Sequence, residues 1–230
     1  RVSDPGKPLS TITAYSGELP MRDTHLVDAR KHLAVVTTTT PKAAFTGHAH
    51  YKKKFKQGAT ITPRKFFFVE EEPSGRIGSN RRAPHVRSRA SNQDKKPWKD
   101  LPGLSANVEA EFLHQVAVGT SIAQFRLLTT HLCVLPINPD GADLMDSSTA
   151  MSSGYSHLSR WMAEAENLWD AKGSGRLSLG EQLDYYGKLT AQYPLATNRV
   201  VYAKAGVRPV AAVISDPRIV IDHKLYWAEV

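Results

Sequence analysis

At 230 residues the chain is long enough to bury a sizeable core, and its 41% hydrophobic and 23% charged residues are the composition of a globular protein, not of a disordered one. No apolar run approaches the ~20 residues of a membrane-spanning helix, so we expect no membrane partner. The formal net charge of +8 favours an anionic partner.

Mainly β-structure is predicted for the first 145 residues. Runs of β-branched, aromatic and apolar residues indicate strands at 32–37, 66–70, 127–128 and 132–137. Residues 73–92 are rich in Gly, Ser, Asn, Pro and Arg and show little periodicity, which predicts an extended loop. Loops of this length inside a domain are usually functional or disordered.

Helical spacing occurs in three segments. Val108, Phe112 and Val116 recur at four-residue steps after Asn107, a residue type that caps helices, which predicts a short helix ending at Gly119. The clearest helix spans 155–169, and a second is expected at 178–192. We interpret the aromatic face of the 155–169 helix, with Trp161 and Trp169, as core packing and not as a base-stacking platform.

The C-terminal region returns to strand signals, at 199–203, 209–214 and 219–221. Together these elements predict an α+β fold with a mixed β-sheet. We expect three parts: a β-rich recognition part at 1–145, a helical pair at 146–195, and a C-terminal β-hairpin at 196–230 that packs back on the sheet.

The positive charge is concentrated in one window. Between Tyr51 and Lys99 there are fourteen Lys and Arg residues against four acids, so the window carries +10 and the rest of the chain −2. A local excess of this kind indicates a polyanion partner such as nucleic acid, although a solvated basic loop has the same composition.

Two further features bear on the context of the chain. It begins with neither Met nor an apolar signal segment, so we expect it to be a piece of a longer cytoplasmic protein. Cys133 is the single cysteine, which excludes an internal disulfide and a cysteine-based zinc site and fits a reducing compartment.

Catalytic motifs are weak or missing. A metal-dependent nuclease would have to combine the distant carboxylates of Asp140 and Asp222 with Lys224, a pattern that arises easily by chance. His48 and His50 would share one face of a strand, but a third metal ligand is not evident. A serine hydrolase would need a Gly-x-Ser-x-Gly turn, which the sequence lacks.

Several segments, taken in order, resemble the C-terminal target-recognition region of N6-adenine-specific DNA methyltransferases, including restriction-methylation fusions. The order of the pieces, more than any single motif, carries the resemblance, which covers roughly residues 45–230. The similar segments are 51–55, 57–64, the aromatic run that follows, 96–101, 108–109 with 112–113, 135–137, 199–202 with Gly206, and 221–228.

The resemblance implies a DNA-binding role without catalysis in this fragment. Neither a glycine-rich cofactor turn nor an Asn/Asp-Pro-Pro-aromatic element is present, so S-adenosylmethionine is expected to bind an upstream methyltransferase domain of the same parent chain. The expected partner is double-stranded DNA. Basic side chains neutralise phosphates, and Arg, Lys, Asn or Gln can read base edges. The candidate contacts are Lys52, Lys53, Lys54, Lys56, Arg64, Lys65, Arg81, Arg82, Arg87, Arg89, Asn92, Gln93, Lys95, Lys96 and Lys99, with Asn80 as a further adenine reader.

Two alternatives stay open. The chain is also compatible with a protein-interaction module of a restriction or defence system that docks through its helical pair, and less so with the nuclease described above. Salt dependence separates DNA binding from apolar docking, because only phosphate contacts weaken steeply as salt rises.

Overall fold

The computed structural model describes residues 12–39, 53–72, 80–91, 93–173, 175–206 and 209–230. They belong to two compact units, residues 1–50 and residues 51–230. Helices and several sheets occur together, which confirms the α+β class.

The first unit contains one antiparallel strand pair. Strand β1 (Ile12–Ser16) pairs with β2 (Ala34–Thr39), and helix α1 (Leu26–His32) connects them. The strand predicted at 32–37 is confirmed with a shift of two residues, because His32 still belongs to α1. Ala29 is the buried residue of that helix.

The second unit holds the other strands and helices. Its helices are α2 (Arg64–Phe67), α3 (Ser147–Ser152), α4 (Ser156–Lys172) and α5 (Leu179–Leu183). Its strands are β3 (Lys56–Gln57), β4 (Val69–Glu71), β5 (His85–Ser88), β6 (Ser105–Asn107), β7 (Leu113–Ala117), β8 (Ile122–Ala123), β9 (Arg126–Leu127), β10 (His131–Val134), β11 (Arg199–Ala203), β12 (Ala211–Ile214), β13 (Ile219–Ile221) and β14 (Leu225–Glu229).

Four small sheets form the β-structure of this unit. Their strand orders are β10-β7-β13, β12-β11-β14-β3, β4-β5-β6 and β8-β9. β13 runs parallel to β7, whereas the other named pairs are antiparallel. The C-terminal strands therefore pair with strands from the first half of the chain, which brings residues near 220 next to residues near 60.

Helix α4 supplies one side of the larger hydrophobic core. Leu158, Trp161, Met162 and Ala165 recur at helical spacing and are all buried. The indole N–H of Trp161 donates to the carbonyl of Phe66 at 3.0 Å, which satisfies its polar atom inside the core. This confirms the predicted helix and its interpretation as core packing.

The aromatic run at 66–70 differs from its prediction. Residues Arg64–Phe67 form one helical turn, and the strand begins only at Val69. Phe66, Phe67 and Phe68 are all buried. Because the core surrounds this segment on several sides, burial lacks the alternation that separates strand from helix.

The helix predicted after Asn107 is wrong. Residues Ser105–Asn107 and Leu113–Ala117 are strands, joined by a 3-10 turn at Ala110–Phe112. Residues four positions apart lie on one face of a helix, and they also lie on one face of a strand, because strand side chains alternate with a period of two. The four-residue spacing therefore does not distinguish the two structures.

The second predicted helix, at 178–192, is shorter than expected. Ser178 begins it with a capping box to Glu181, but α5 ends at Leu183. The Asp184 carboxylate then accepts the backbone N–H groups of Leu189 and Thr190 at 2.7 and 3.0 Å. This side-chain capping starts a new turn and competes with continuation of the helix.

Among the residues that the structure describes, no helix has the length and apolarity needed to cross a bilayer.

Candidate nucleic-acid interface

Arg64 is the best-positioned of the predicted site residues. It opens α2 directly after Pro63, and Asp94 fixes the start of that turn. The two carboxylate oxygens of Asp94 accept the backbone N–H groups of Arg64 and Lys65, each at 2.9 Å. A chain segment thirty residues further on therefore holds the backbone from which the Arg64 side chain extends.

The guanidinium of Arg64 is held from two directions. Its Nη2 lies 3.3 Å from Oδ2 of Asp222, and its central carbon lies 4.5 Å from the centre of the Phe68 ring. The side chain of Arg64 is 9% exposed and that of Asp222 is 0% exposed. A cation placed between a carboxylate and a ring face keeps one orientation.

A close approach of two chain segments positions Asp222. A Cβ atom at Gly58 would lie 2.4 Å from the carbonyl oxygens of both Ile221 and Asp222, so only glycine fits at this crossing. The neighbouring Ala59 forms a parallel bridge with Asp222. The backbone N–H of Lys224 donates to Oδ1 of Asp222 at 2.9 Å.

Arg64 lines a cleft of about 230 Å³. The lining combines cations, hydroxyls, an amide and apolar groups, and none of these described residues is acidic. The lining residues are Arg64, Phe68, Arg89, Ala90, Ser91, Gln93, Val118, Thr120 and His131. Three residues predicted as DNA contacts, Arg64, Arg89 and Gln93, meet here although up to 29 positions separate them in the chain.

Arg89 and His131 contact each other at the cleft. Nη1 of Arg89 donates to Nδ1 of His131. Burial is the main reason why the pKa of His131 lies below its ordinary value, and the charges of Arg89 and Arg64 lower it further against the opposing effect of Asp222. A neutral imidazole is the form that can accept this hydrogen bond, so the ring orients Arg89 without adding charge.

The arrangement suits an anion. Arg89 can neutralise a phosphate, whereas Asp222 balances the charge of Arg64, which contributes fixed donors. The hydroxyls of Ser91 and Thr120 and the amide of Gln93 can donate to oxygen. The Phe68 ring and Val118 add apolar surface. Fixed donors around a small cleft bind a phosphate group or a base edge with less loss of side-chain entropy than free surface lysines do.

The loop predicted at 73–92 contains a strand. β5 (His85–Ser88) is the central strand of the β4-β5-β6 sheet, whereas residues 73–79 and Asn92 lie outside the described residues. Arg87 projects from β5 to Glu70 and Glu72, with Nη2 and Nη1 at 2.8 and 3.4 Å from their carboxylates. Arg87 is therefore neutralised across the sheet, unlike Arg89 two residues later.

Other residues that were predicted to contact DNA do not line the cleft. Arg81 and Arg82 are exposed in a turn where Oδ1 of Asn80 accepts the N–H of Arg82 at 3.1 Å. Lys53 and Lys54 are exposed before β3, and Lys52 lies outside the described residues. Lys56 lies 5.0 Å from the ring centre of Trp227.

The segment 93–101 is tied to the body of the unit. Trp98 stacks on Trp169 with ring centres 4.7 Å apart and an interplanar angle of 7°. The ammonium of Lys65 donates to the carbonyls of Lys99, at 2.9 Å, and Leu101. Lys65 thus has a structural role here, whereas Lys95, Lys96 and Lys99 are exposed. Nζ of Lys96 lies 3.4 Å from the Asp100 carboxylate.

The candidate metal ligands do not form a metal site in the described residues. No group of three His, Cys, Asp or Glu side chains that could hold a metal ion occurs there. His48 and His50 lie outside the described part of the chain. Asp222 is buried against Arg64, whereas Asp140 is exposed in a turn.

Three polar residues of the cleft were not among the predicted contacts: Ser91, Thr120 and His131. Each comes from a different part of the chain, and none stands in a recognisable motif. The contacts of Phe68 with β10 place His131 at the cleft, since Phe68 bridges Cys133 and its ring lies 6.1 Å from that of His131.

Comparison with family models and with curated proteins finds no match to this chain.

Proposed function

We propose that this chain binds double-stranded DNA as the target-recognition part of a larger S-adenosylmethionine-dependent, adenine-specific DNA methyltransferase. The single observation that carries the DNA-binding proposal is the cleft in which Arg64 and Arg89 converge with Ser91, Gln93 and Thr120. Buried support from Asp222 and Phe68 fixes Arg64, so the site is built before its ligand arrives.

The charge distribution supports the same proposal. Six of the nine residues that line the cleft belong to the segment 51–99 that carries +10, and the same segment holds further exposed cations. Lys53, Lys54, Lys95 and Lys99 supply attraction to phosphates that does not depend on sequence, while the cleft supplies fixed donors. Base reading is assigned to Arg89 and Gln93, and positioning to Arg64.

The methyltransferase context of the proposal rests on the resemblance of residues 45–230 to recognition regions of that enzyme class. In this scheme the upstream domain of the same parent chain binds S-adenosylmethionine and performs the transfer in the cytoplasm, and the present chain contributes DNA contacts only. Calorimetric titration with S-adenosylmethionine tests this division, because stoichiometric binding to the 230-residue chain would overturn it.

Fluorescence anisotropy with a labelled duplex tests DNA binding directly. The affinity is expected to fall steadily between ~50 and ~300 mM salt, with a slope of about −0.9 per neutralised phosphate in a plot of log K against log salt. Equal affinity at both salt concentrations would overturn the proposal. Replacement of Arg89 by Met keeps the apolar length of the side chain, leaves the buried Arg64–Asp222 pair intact, and is expected to weaken binding at low salt.

A second candidate function has one observation in its favour. In the first unit Leu26, Val27, Val35 and Val36 are exposed although they are apolar. Such side chains are typical of a protein-interaction surface. The predicted docking face on the helices is, in contrast, buried in the core of the second unit. Pull-down of a protein partner that withstands high salt, together with absent DNA binding, would favour this alternative.

A further inference from the structure

The tip of the β8–β9 hairpin carries an exposed aromatic ring. Ile122 pairs with Leu127 and Ala123 with Arg126, which leaves Gln124 and Phe125 as the two turn residues. Phe125 has a φ of 63° and is 80% exposed. A turn position with positive φ favours Gly or Asn, and an exposed ring gains no burial. Neither local conformation nor packing within the described chain accounts for a phenylalanine here.

The base of this hairpin is firmly anchored. Ile122 is buried and Leu127 packs against the smaller hydrophobic core, which includes Ile214. The backbone N–H of Phe125 donates to the carbonyl of Ala211 at 2.7 Å, and that of Leu128 donates to Ser121 at 2.8 Å. The turn is therefore attached to the rigid β11–β12 pair, and the ring projects from a fixed support.

The hairpin follows directly after one wall of the cleft. Thr120 lines the cleft, and it belongs to the 3-10 turn Gly119–Ser121 that leads into β8. Five residues span at most about 18 Å, so the Cα atoms of Thr120 and Phe125 lie no further apart than this. Successive phosphates of one DNA strand advance about 3.4 Å along the axis, so this distance corresponds to no more than about five base steps of a duplex.

The neighbours of Phe125 suit the surface of a duplex. Gln124 and Arg126 are both exposed beside it. A guanidinium and an amide next to an apolar ring provide phosphate and base-edge contacts around an inserting group.

We propose that Phe125 is a wedge that inserts its ring between neighbouring base pairs of the DNA and unstacks one step. This inference rests on the proposed DNA-binding function and adds a deformation of the duplex to it. Rings and aliphatic side chains used in this way stack on the exposed base faces and bend the helix axis. An opened step also lowers the cost of extruding a neighbouring base.

The test compares two variants that differ only in which exposed ring they remove. Tyr186 resembles Phe125 in backbone and exposure, with a φ of 59° and 80% exposure, although its ring contacts that of Tyr185 with ring centres 4.4 Å apart. Asn suits a left-handed backbone, so Phe125→Asn and Tyr186→Asn each remove a ring without adding strain. Two short duplexes are used, one fully paired and one with a single central mismatch, each with 2-aminopurine beside the central position.

The wild-type chain is expected to raise 2-aminopurine fluorescence and to prefer the mismatched duplex, because a weakened step costs less to open. Phe125→Asn is expected to lose both effects and to bind about 3- to 30-fold more weakly, since the stacking gained by the ring is offset by the unstacking it imposes. Tyr186→Asn is expected to match the wild type within about twofold, as surface substitutions do.

The outcomes separate the two proposals. A wild-type chain that binds neither duplex at low salt overturns the proposed function together with the wedge. Binding with the same fluorescence and the same mismatch preference in the wild type and in Phe125→Asn overturns the wedge alone. A melting temperature for Phe125→Asn clearly below that of the wild type also overturns it, because the ring would then be covered by protein.

Discussion

Nη2 of Arg64 and Oδ2 of Asp222 lie 3.3 Å apart in a buried ion pair between residues separated by 158 positions. The pair connects α2, which begins at Arg64, to the segment between β13 and β14 that contains Asp222. The ion pair fixes the orientation of the guanidinium at the wall of the cleft. The same contact therefore contributes both to the stability of the fold and to the geometry of the candidate DNA site.

Asp222→Asn is expected to lower the free energy of unfolding by about 3 kcal/mol, because it leaves the buried Arg64 cation without a counter-ion. Urea denaturation at neutral pH measures the change. Asp100→Asn is the control, since its exposed pair with Lys96 contributes less than about 1 kcal/mol. Equal losses in the two variants would contradict a structural role of the buried pair.

Arg89 and Arg87 are expected to differ in DNA binding although only one residue separates them. Arg89→Ala removes a cleft donor and should weaken duplex binding by about 1–3 kcal/mol. Arg87→Ala should change binding by less than about 0.5 kcal/mol, since Glu70 and Glu72 already neutralise its charge. Anisotropy titrations of both variants provide the measurement. A larger effect at Arg87 would place the DNA on the outer face of the β4-β5-β6 sheet.

Lys53 and Lys54 are expected to contribute affinity without sequence preference. Their replacement by Gln should weaken binding to all duplexes alike and reduce the salt slope by roughly one unit per lost phosphate contact. The measurement is the slope of log K against log salt for two unrelated duplexes. If one duplex were affected far more than the other, these lysines would take part in sequence reading.

The stability of the chain is expected to fall in mildly acidic solution because of His114. Burial lowers the pKa of His114 from 6.5 to about 4, and its Nε2 atom has no hydrogen-bond partner among the described residues. The unfolded chain takes up a proton near pH 6.5, whereas the folded chain does so only near pH 4. Unfolding therefore binds more protons in this window, and stability decreases as pH falls through it, by about 3 kcal/mol in total.

Urea denaturation between pH 7 and pH 4 measures this decrease. His114→Gln should remove most of the His114 contribution to the slope of unfolding free energy against pH, while His157→Gln should keep it. The backbone N–H of His157, not its ring, is what bonds to Glu109, so that contact survives the control substitution. A slope unchanged by His114→Gln would assign the acid sensitivity to other groups.

Local pattern was sufficient for several elements. The face formed by Leu158, Trp161, Met162 and Ala165 predicts α4, because an apolar stripe over four turns fits only the helical period. Strands β11, β12 and β13 were likewise predicted at nearly their observed positions, whereas β14 was not among the predicted strands. The +10 window also follows from composition, since charge is counted without knowledge of the fold.

Elsewhere tertiary contacts decided the outcome. Phe66–Phe68 is buried whichever element it forms, so hydrophobicity could not identify its helical turn. Val108, Phe112 and Val116 satisfy both periods, and the pairing of β7 with β10 and β13 selects the strand. β5 has a single buried residue, Val86, and becomes a strand because β4 and β6 supply its hydrogen bonds.

The sequence by itself determined the fold class, the main helix and the place of the positive charge, because these depend on composition and on periods within short segments. Only the tertiary structure decided which cations share a site. Asp222 orients Arg64 at the cleft and His131 orients Arg89 there, whereas Arg87 pairs with glutamates instead. These choices depend on contacts between segments 17 to 158 residues apart, which no local pattern encodes.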